Sequence, residues 1–311
     1  MSTIERAASV QDGLPDPGGE ARRDLSPSGR VPSLEARITT RRRPLGGRCE
    51  IDLEAMAARG FLVPGEGRNQ LAQELRRIKR PLLLNIRRSE ALGSSAITAP
   101  GTEQRASNFI MVTSALPGEG KTYTSTNLAI SIAAEIDRSA LLVDADVAKR
   151  DLSRQFDLGG YAGLTEALTN PNVHPDTYTL GTNIDRLELM SSGVREDNVD
   201  ELFASNNMSR RLRALSRLDP SRIVIFDGPP LLVTTEAKVL AQYMAQIVLV
   251  IEAGKTPRDA VEHALRLLAD QPSVSVVLNK TSRPIGNDYG YGYGYGYGYG
   301  YGADSSPEAD R

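Results

Sequence analysis

The chain has 311 residues, 40% of them hydrophobic and 24% charged, with a formal net charge of −2. That is enough to bury the core of one large α/β domain with appendages. A single cysteine, Cys49, excludes an intramolecular disulfide, and with only two histidines, His174 and His263, a zinc site built from this chain alone is not expected.

Residues 1–65 are rich in Pro, Gly, Ser and Arg and show no sustained periodicity, which predicts a mostly disordered basic segment. Between Arg22 and Arg48 eight arginines stand against two acids, Asp24 and Glu35. The cluster Arg41–Pro44 is read as solvated linker in preference to a contact with anionic lipid. The first residues lack the apolar stretch of a secretion signal, and no apolar run reaches the roughly 18 residues of a membrane-spanning helix. A soluble chain in a reducing compartment is expected, without a nucleic-acid partner.

Order is expected from about residue 66. In NQLAQELRRIKRP, Leu71, Leu75 and Ile78 recur at helical spacing, Glu74, Arg77 and Arg80 form a separate polar face, and Pro81 should end the helix. Six apolar runs follow, over 109–114, 140–146, 186–192, 222–227, 246–253 and 274–280. Helical patterns over 124–136, 199–218, 236–244 and 257–269 separate them. Strands apolar throughout, alternating with amphipathic helices, predict a doubly wound, mostly parallel α/β domain over 66–285, with ligands at the carboxyl ends of its strands. Residues 286–311 carry a strict Tyr-Gly alternation that no packed core could use, so a flexible tail is expected there. It contains Tyr289, Tyr291, Tyr293, Tyr295, Tyr297, Tyr299 and Tyr301.

Three stretches carry chemistry. SALPGEGKT (114–122) joins the first strand to a helix, and a glycine-rich turn in that place aims backbone N–H groups at an anion. The loop Pro117, Gly118, Glu119, Gly120, Lys121, Thr122 and Tyr123 is therefore a candidate ATP site. In it Lys121 reaches the β- and γ-phosphates and the Thr122 hydroxyl binds Mg²⁺. The usual first glycine of the motif is Ala115 here. Asp227, at the tip of RIVIFD, stands where a Walker B carboxylate holds Mg²⁺. Asp144 and Asp146, in ALLVDADVAKR, emerge at a second strand tip and need a cation or a donor between them.

In this order the P-loop, DAD and FDGPP resemble the Walker A, A′ and B motifs of the bacterial tyrosine kinases, over about residues 70–283. GLTEAL, SSG, NVDELF, VLNK and the tyrosine cluster add to the likeness. The wording of ELRRIKRPLLLNI and TEAKVLAQYMAQIVLVIEAGKTP is most similar to stand-alone autokinases of exosortase-linked exopolysaccharide loci. The resemblance implies a P-loop fold of the deviant-Walker type and an ATP- and Mg²⁺-dependent tyrosine autokinase. Its C-terminal tyrosines would be phosphorylated between subunits, regulating exopolysaccharide synthesis or export. It implies that Glu74, Arg77 and Arg80 join subunits of a ring, and that Thr122, Asp146 and Asp227 surround the metal. It also implies Asp144 or Asp146 as the group accepting the phenol proton, the first being preferred and the roles exchangeable. Asn279, ending the last strand, would recognise adenine or serve only as a turn residue. A membrane co-polymerase activator and a tyrosine phosphatase are the implied partners, with the kinase at the cytoplasmic face of the membrane through the activator. The family's A′ arginine is replaced by Ala148, which displaces its contacts onto Lys149 or removes them. Two other readings compete: a partition- or positioning-type ATPase switch, and a nucleotide-binding adaptor of a polysaccharide polymerase without catalysis. Leu116 stands where the partition ATPases have a signature lysine, and the intact acidic and P-loop residues argue against a dead site.

Overall fold

The computed structural model describes residues 45–65, 69–92, 96–97, 105–194, 199–203, 205–217, 219 and 221–281. Among them one sheet is formed by β1 (Gly47–Cys49), β2 (Ala96–Ile97), β3 (Arg105–Ser114), β4 (Ser139–Asp144), β5 (Leu180–Thr182), β6 (Leu187–Met190), β7 (Arg222–Asp227), β8 (Met244–Glu252) and β9 (Val274–Asn279). Their order is β1-β5-β6-β4-β7-β3-β8-β9, with β2 pairing on β3. From β6 to β9 every pairing along this path is parallel, while β5 runs antiparallel to β6 and β2 antiparallel to β3. The doubly wound, mostly parallel sheet expected from the apolar runs is what the chain forms.

The helices are α1 (Leu53–Ala58), α2 (Gln70–Ala91), α3 (Lys121–Ala133), α4 (Asp151–Gln155), α5 (Leu164–Thr169), α6 (Val199–Phe203), α7 (Asn206–Arg217), α8 (Glu236–Ala241) and α9 (Arg258–Leu267). They cover both faces of the sheet. Successive strand residues point to opposite sides, so Phe109 and Met111 of β3 join one core while Ile110 and Val112 join the other. The first core is closed by α5, α7, α8 and α9 through Ala167, Leu212, Leu240 and Ala264. The second is closed by α1, α2 and α3 through Met56, Leu82, Ile86, Leu128 and Ile132. This double cover is why β3, β4, β7 and β8 contain uninterrupted apolar stretches, such as Phe109–Val112 and Ile247–Ile251.

Two sequence expectations are corrected here. Pro81 lies inside α2 and does not end it. A helical proline deprives the carbonyl four residues back, that of Arg77, of its donor. Both residues are exposed, so water can satisfy that carbonyl. Buried Leu82, Leu83 and Ile86 then hold the second half of the helix on the sheet. Order also begins before residue 66. Residues 45–65 add β1 to the sheet edge and bury Cys49, Ile51, Met56, Phe61 and Leu62. The Asn183 side chain accepts from Ile51 N at 2.8 Å and donates to its carbonyl at 2.9 Å. Asn127 Oδ1 accepts from Leu62 N at 2.6 Å. The seven tail tyrosines lie outside the described residues. Among the described residues no helix is long and apolar enough to cross a membrane.

Candidate active site

The central strands bring the three chemical motifs to one edge. In the register of β4 and β7, Asp144 lies directly beside Asp227, and β3, next to β7, runs at its carboxyl end into the loop 115–120. Gly118 and Gly120 adopt φ of +86° and +99°, which an L side chain would resist. A Cβ on Gly118 would meet nothing within 4 Å, so the loop is open there. Lys121 begins α3, whose first-turn amides have no intrahelical acceptor and face outward with the helix dipole.

Lys121 is nearly buried, and its Nζ lies 2.9 Å from Asp146 Oδ2 and 3.9 Å from Asp227 Oδ2. Burial pulls its pKa down, but the charges of Asp227 and Asp146 outweigh that and hold it above the ordinary value. The Thr122 hydroxyl donates to Asp227 Oδ2 at 2.7 Å. Burial pushes Asp227 up to about 6 despite the nearby Lys121 charge. Asp227 Oδ1 is buried with no hydrogen-bond partner. Asp146 Oδ2, although ion-paired with Lys121, has no hydrogen bond of good geometry either.

Asp144 is placed differently. Its Oδ2 accepts from Ser153 N at 2.8 Å and from the Ser153 hydroxyl at 2.6 Å, and its Oδ1 accepts from Asp146 N at 3.3 Å. Burial, opposed by those Ser153 bonds, raises its pKa to about 7. The side chain is fully buried and engaged, behind the turn that carries Asp146. Ser153, an unremarked residue in the sequence, is thus part of the A′ architecture.

The remaining sequence candidates divide. Glu119 is buried with its side chain turned into the protein, where Oε2 accepts from Leu116 N at 2.7 Å. Asn279 Nδ2 donates to Glu119 O at 2.9 Å, so this residue ties down the loop. The Tyr123 ring turns away, its hydroxyl donating to Gly60 O at 2.7 Å and its ring 4.9 Å from that of Phe61. Only its backbone can belong to the loop. Lys149 is exposed, and its N–H donates to Asp146 Oδ1 at 3.1 Å. Arg150 points to the 192–193 turn, donating to Ser192 Oγ at 2.9 Å and Gly193 O at 2.5 Å. The Arg150 side chain is thus committed to that turn. Glu74, Arg77 and Arg80 are exposed on α2, apart from this site.

A magnesium ion fits the donor set. The orphaned Asp227 oxygen and the Thr122 hydroxyl are hard oxygen ligands beside a phosphate loop, and Mg²⁺ takes few protein ligands and completes its shell with phosphate and water. Among the described residues, no cluster of three or more acidic, His or Cys side chains forms a self-sufficient metal site.

No family model matches the chain. Among characterised proteins it is similar to the tyrosine-protein kinase YwqD of Bacillus subtilis, at 33% identity over 184 residues, covering 58% of this chain and 76% of that protein. It is similar to the tyrosine-protein kinase CpsD of Streptococcus agalactiae, at 30% identity over 187 residues, covering 58% and 80%. Among solved structures, the VpsO kinase domain matches with a TM-score of 0.51 and 29% identity, covering 65% of this chain and 97% of that one.

Proposed function

The chain belongs to the bacterial tyrosine kinase family and is a protein-tyrosine kinase; from that premise we propose that it uses ATP and Mg²⁺ to phosphorylate its own C-terminal tyrosines between subunits. The observation that carries the reading is the convergence of Lys121, Thr122, Asp146 and Asp227 at the phosphate loop. The loop amides and Lys121 bind and orient the phosphates of ATP and stabilise charge on the transferring group, where most of the rate enhancement of such reactions arises. Magnesium, held by Thr122 and Asp227, would neutralise phosphate charge.

Asp146 accepts the phenol proton as the tyrosine oxygen bonds to phosphorus and the β–γ bridging oxygen leaves with its electron pair. Asp144 orients the turn that holds Asp146. This exchange of the two roles is supported by the Ser153 bonds that occupy Asp144 and by the position of Asp146, whose Oδ2 stands 2.9 Å from Lys121 Nζ. The tail supplies the acceptors, its glycines keeping seven phenols accessible. Glu74, Arg77 and Arg80 join neighbouring copies in a ring. A polysaccharide co-polymerase in the membrane recruits and activates the kinase, a phosphatase resets it, and the output is control of exopolysaccharide synthesis. The names of the kinase relatives favour this over the ATPase-switch and adaptor readings.

The test is a phosphotyrosine blot after incubation with Mg-ATP. Wild type should label strongly, and a variant with Phe at all seven tail tyrosines should lose most of the signal. Full labelling in that variant refutes the tail as acceptor. Mixing the seven-Phe variant with inactive Asp146→Asn should label the latter. A mixture without label would overturn transfer between subunits.

A further inference from the structure

A phosphate-binding loop must turn its N–H groups toward the ligand and keep its acceptors elsewhere, because a carboxylate or carbonyl in the cradle repels phosphate. This loop contains such an acceptor. Glu119, one residue before Gly120, is a buried acid inside a site built for anions. Its Oε1 accepts a hydrogen bond from the Thr256 hydroxyl, 137 positions away in sequence. Thr256 lies in the turn between β8 and α9. Its Oγ1 also accepts from Glu252 N at 3.1 Å, and its own N–H donates to Glu252 O at 3.1 Å. The hydroxyl is therefore fixed, with its one proton directed at Glu119.

The same outer wall supplies donors to the loop carbonyls. Asn279 Nδ2 donates to Glu119 O at 2.9 Å, and Lys280 Nζ donates to Gly118 O at 2.8 Å while pairing with Glu252 Oε2 at 3.0 Å. The wall is tight: a Cβ on Gly120 would stand 2.1 Å from Asn279 Nδ2. Thr256, Asn279 and Lys280 each present a proton to a loop acceptor. The Glu119 carboxylate takes one loop amide, that of Leu116.

The geometry points to Thr256 as a positioning residue for the nucleotide: its hydroxyl holds the Glu119 carboxylate on the outer side of the phosphate loop, away from the amides that receive phosphate. Without that hydroxyl the carboxylate has only Leu116 N, and as a charged acceptor it competes for the same donors as the phosphates. Nucleotide affinity then falls because of the charge of Glu119, not because a contact to ATP is lost. This inference rests on the proposed use of ATP.

The test compares binding of a fluorescent ADP analogue, by anisotropy with Mg²⁺, with Mg-ATP kinetics of phosphotyrosine formation. Thr256→Val should weaken binding and raise KM by about tenfold, the order expected for a lost hydrogen bond to a charged group. At saturating ATP its kcat should stay close to wild type. Thr256→Ser should restore affinity, and Thr256→Val combined with Glu119→Gln should recover most of it, since a neutral amide does not compete as an anion. A double variant as weak as Thr256→Val overturns the inference, as does Thr256→Val with unchanged affinity or with a loss confined to kcat. Should Thr256→Val fail to fold by circular dichroism, Glu119→Gln alone decides: affinity within about threefold of wild type or better supports the inference, and any larger loss overturns it. Wild-type protein that binds no nucleotide would sink the proposed function, whereas equal binding by wild type and Thr256→Val sinks only this inference.

Discussion

Lys121→Met should silence phosphorylation, and it should also make the protein unfold more easily. The ammonium stands 2.9 Å from Asp146 and 3.9 Å from Asp227, both carboxylates essentially inaccessible. Removing one partner from a buried ionic cluster leaves uncompensated charge and costs about 3–5 kcal/mol. At roughly 2–4 °C per kcal/mol for a domain of this size, Tm should fall by about 6–20 °C. The loss should depend on pH in a definite direction. Burial already holds the pKa of Asp227 at about 6, above its ordinary 3.8, and the Lys121 charge lowers it. A carboxylate raised in the folded state contributes stability that is present below its unfolded value and lost as pH rises through the folded one. Without Lys121 the folded value climbs further, so the Tm deficit should be largest near pH 8 and narrow toward pH 6. Thermal unfolding without nucleotide, followed by circular dichroism across that range, measures it. Adding Asp146→Asn should recover part of the Tm and none of the phosphotyrosine signal. A Lys121→Met protein melting within about 2 °C of wild type at pH 8 would refute the reasoning, because it leaves less than about 1 kcal/mol for the cluster.

Replacing Glu74, Arg77 and Arg80 together by Ala should leave the fold intact by circular dichroism, since the three side chains are exposed on α2 and take no part in its buried face. The same variant should scatter light as a monomer and lose transfer between subunits; an unchanged oligomer would remove these residues from the interface. Tyr123→Phe deletes the hydrogen bond to Gly60 O and should cost about 0.5–1.5 kcal/mol in urea unfolding. It should speed amide exchange around residues 57–62 without altering nucleotide affinity. A weakened affinity would return the Tyr123 side chain to the candidate nucleotide site.

The sheet was legible wherever burial came from both sides. β3, β4, β7 and β8 carry uninterrupted apolar runs because α2 and α3 cover one face and α7, α8 and α9 the other, so no alternation hides them. β1 and β5 were not legible. Each has three residues, and β1 is held to the chain by contacts such as those of Asn183 with Ile51 rather than by a pattern of its own. Pro81 misled because its local cost is real, yet the buried turn beyond it, with Leu82 and Ile86, repays that cost from a distance. At the site, motif spacing was enough to bring Lys121, Thr122, Asp146 and Asp227 together. It could not separate Asp144 from Asp146, because the difference is made by Ser153, nine positions downstream of Asp144. Nor could it foresee Thr256 or Lys280, whose bonds to the phosphate loop span 137 and 162 positions.

The grip of Lys280 on the Gly118 carbonyl fixes the root of the tail beside the phosphate loop. Measured from that root, Tyr289 is nine residues along the chain and Tyr301 twenty-one. A fully extended chain gives these phenols limits of about 32 Å and 75 Å, with a step of about 7 Å between successive tyrosines. The repeat is thus a graduated ruler. If transfer runs between subunits as proposed, a neighbouring catalytic centre within those limits is in reach of some tyrosines, and effective concentration is highest for the tether whose r.m.s. length, well short of full extension, matches the gap. Subunit spacing would then select which position is phosphorylated first, and a change in the proposed ring would be recorded as a change in the order of modification along the tail.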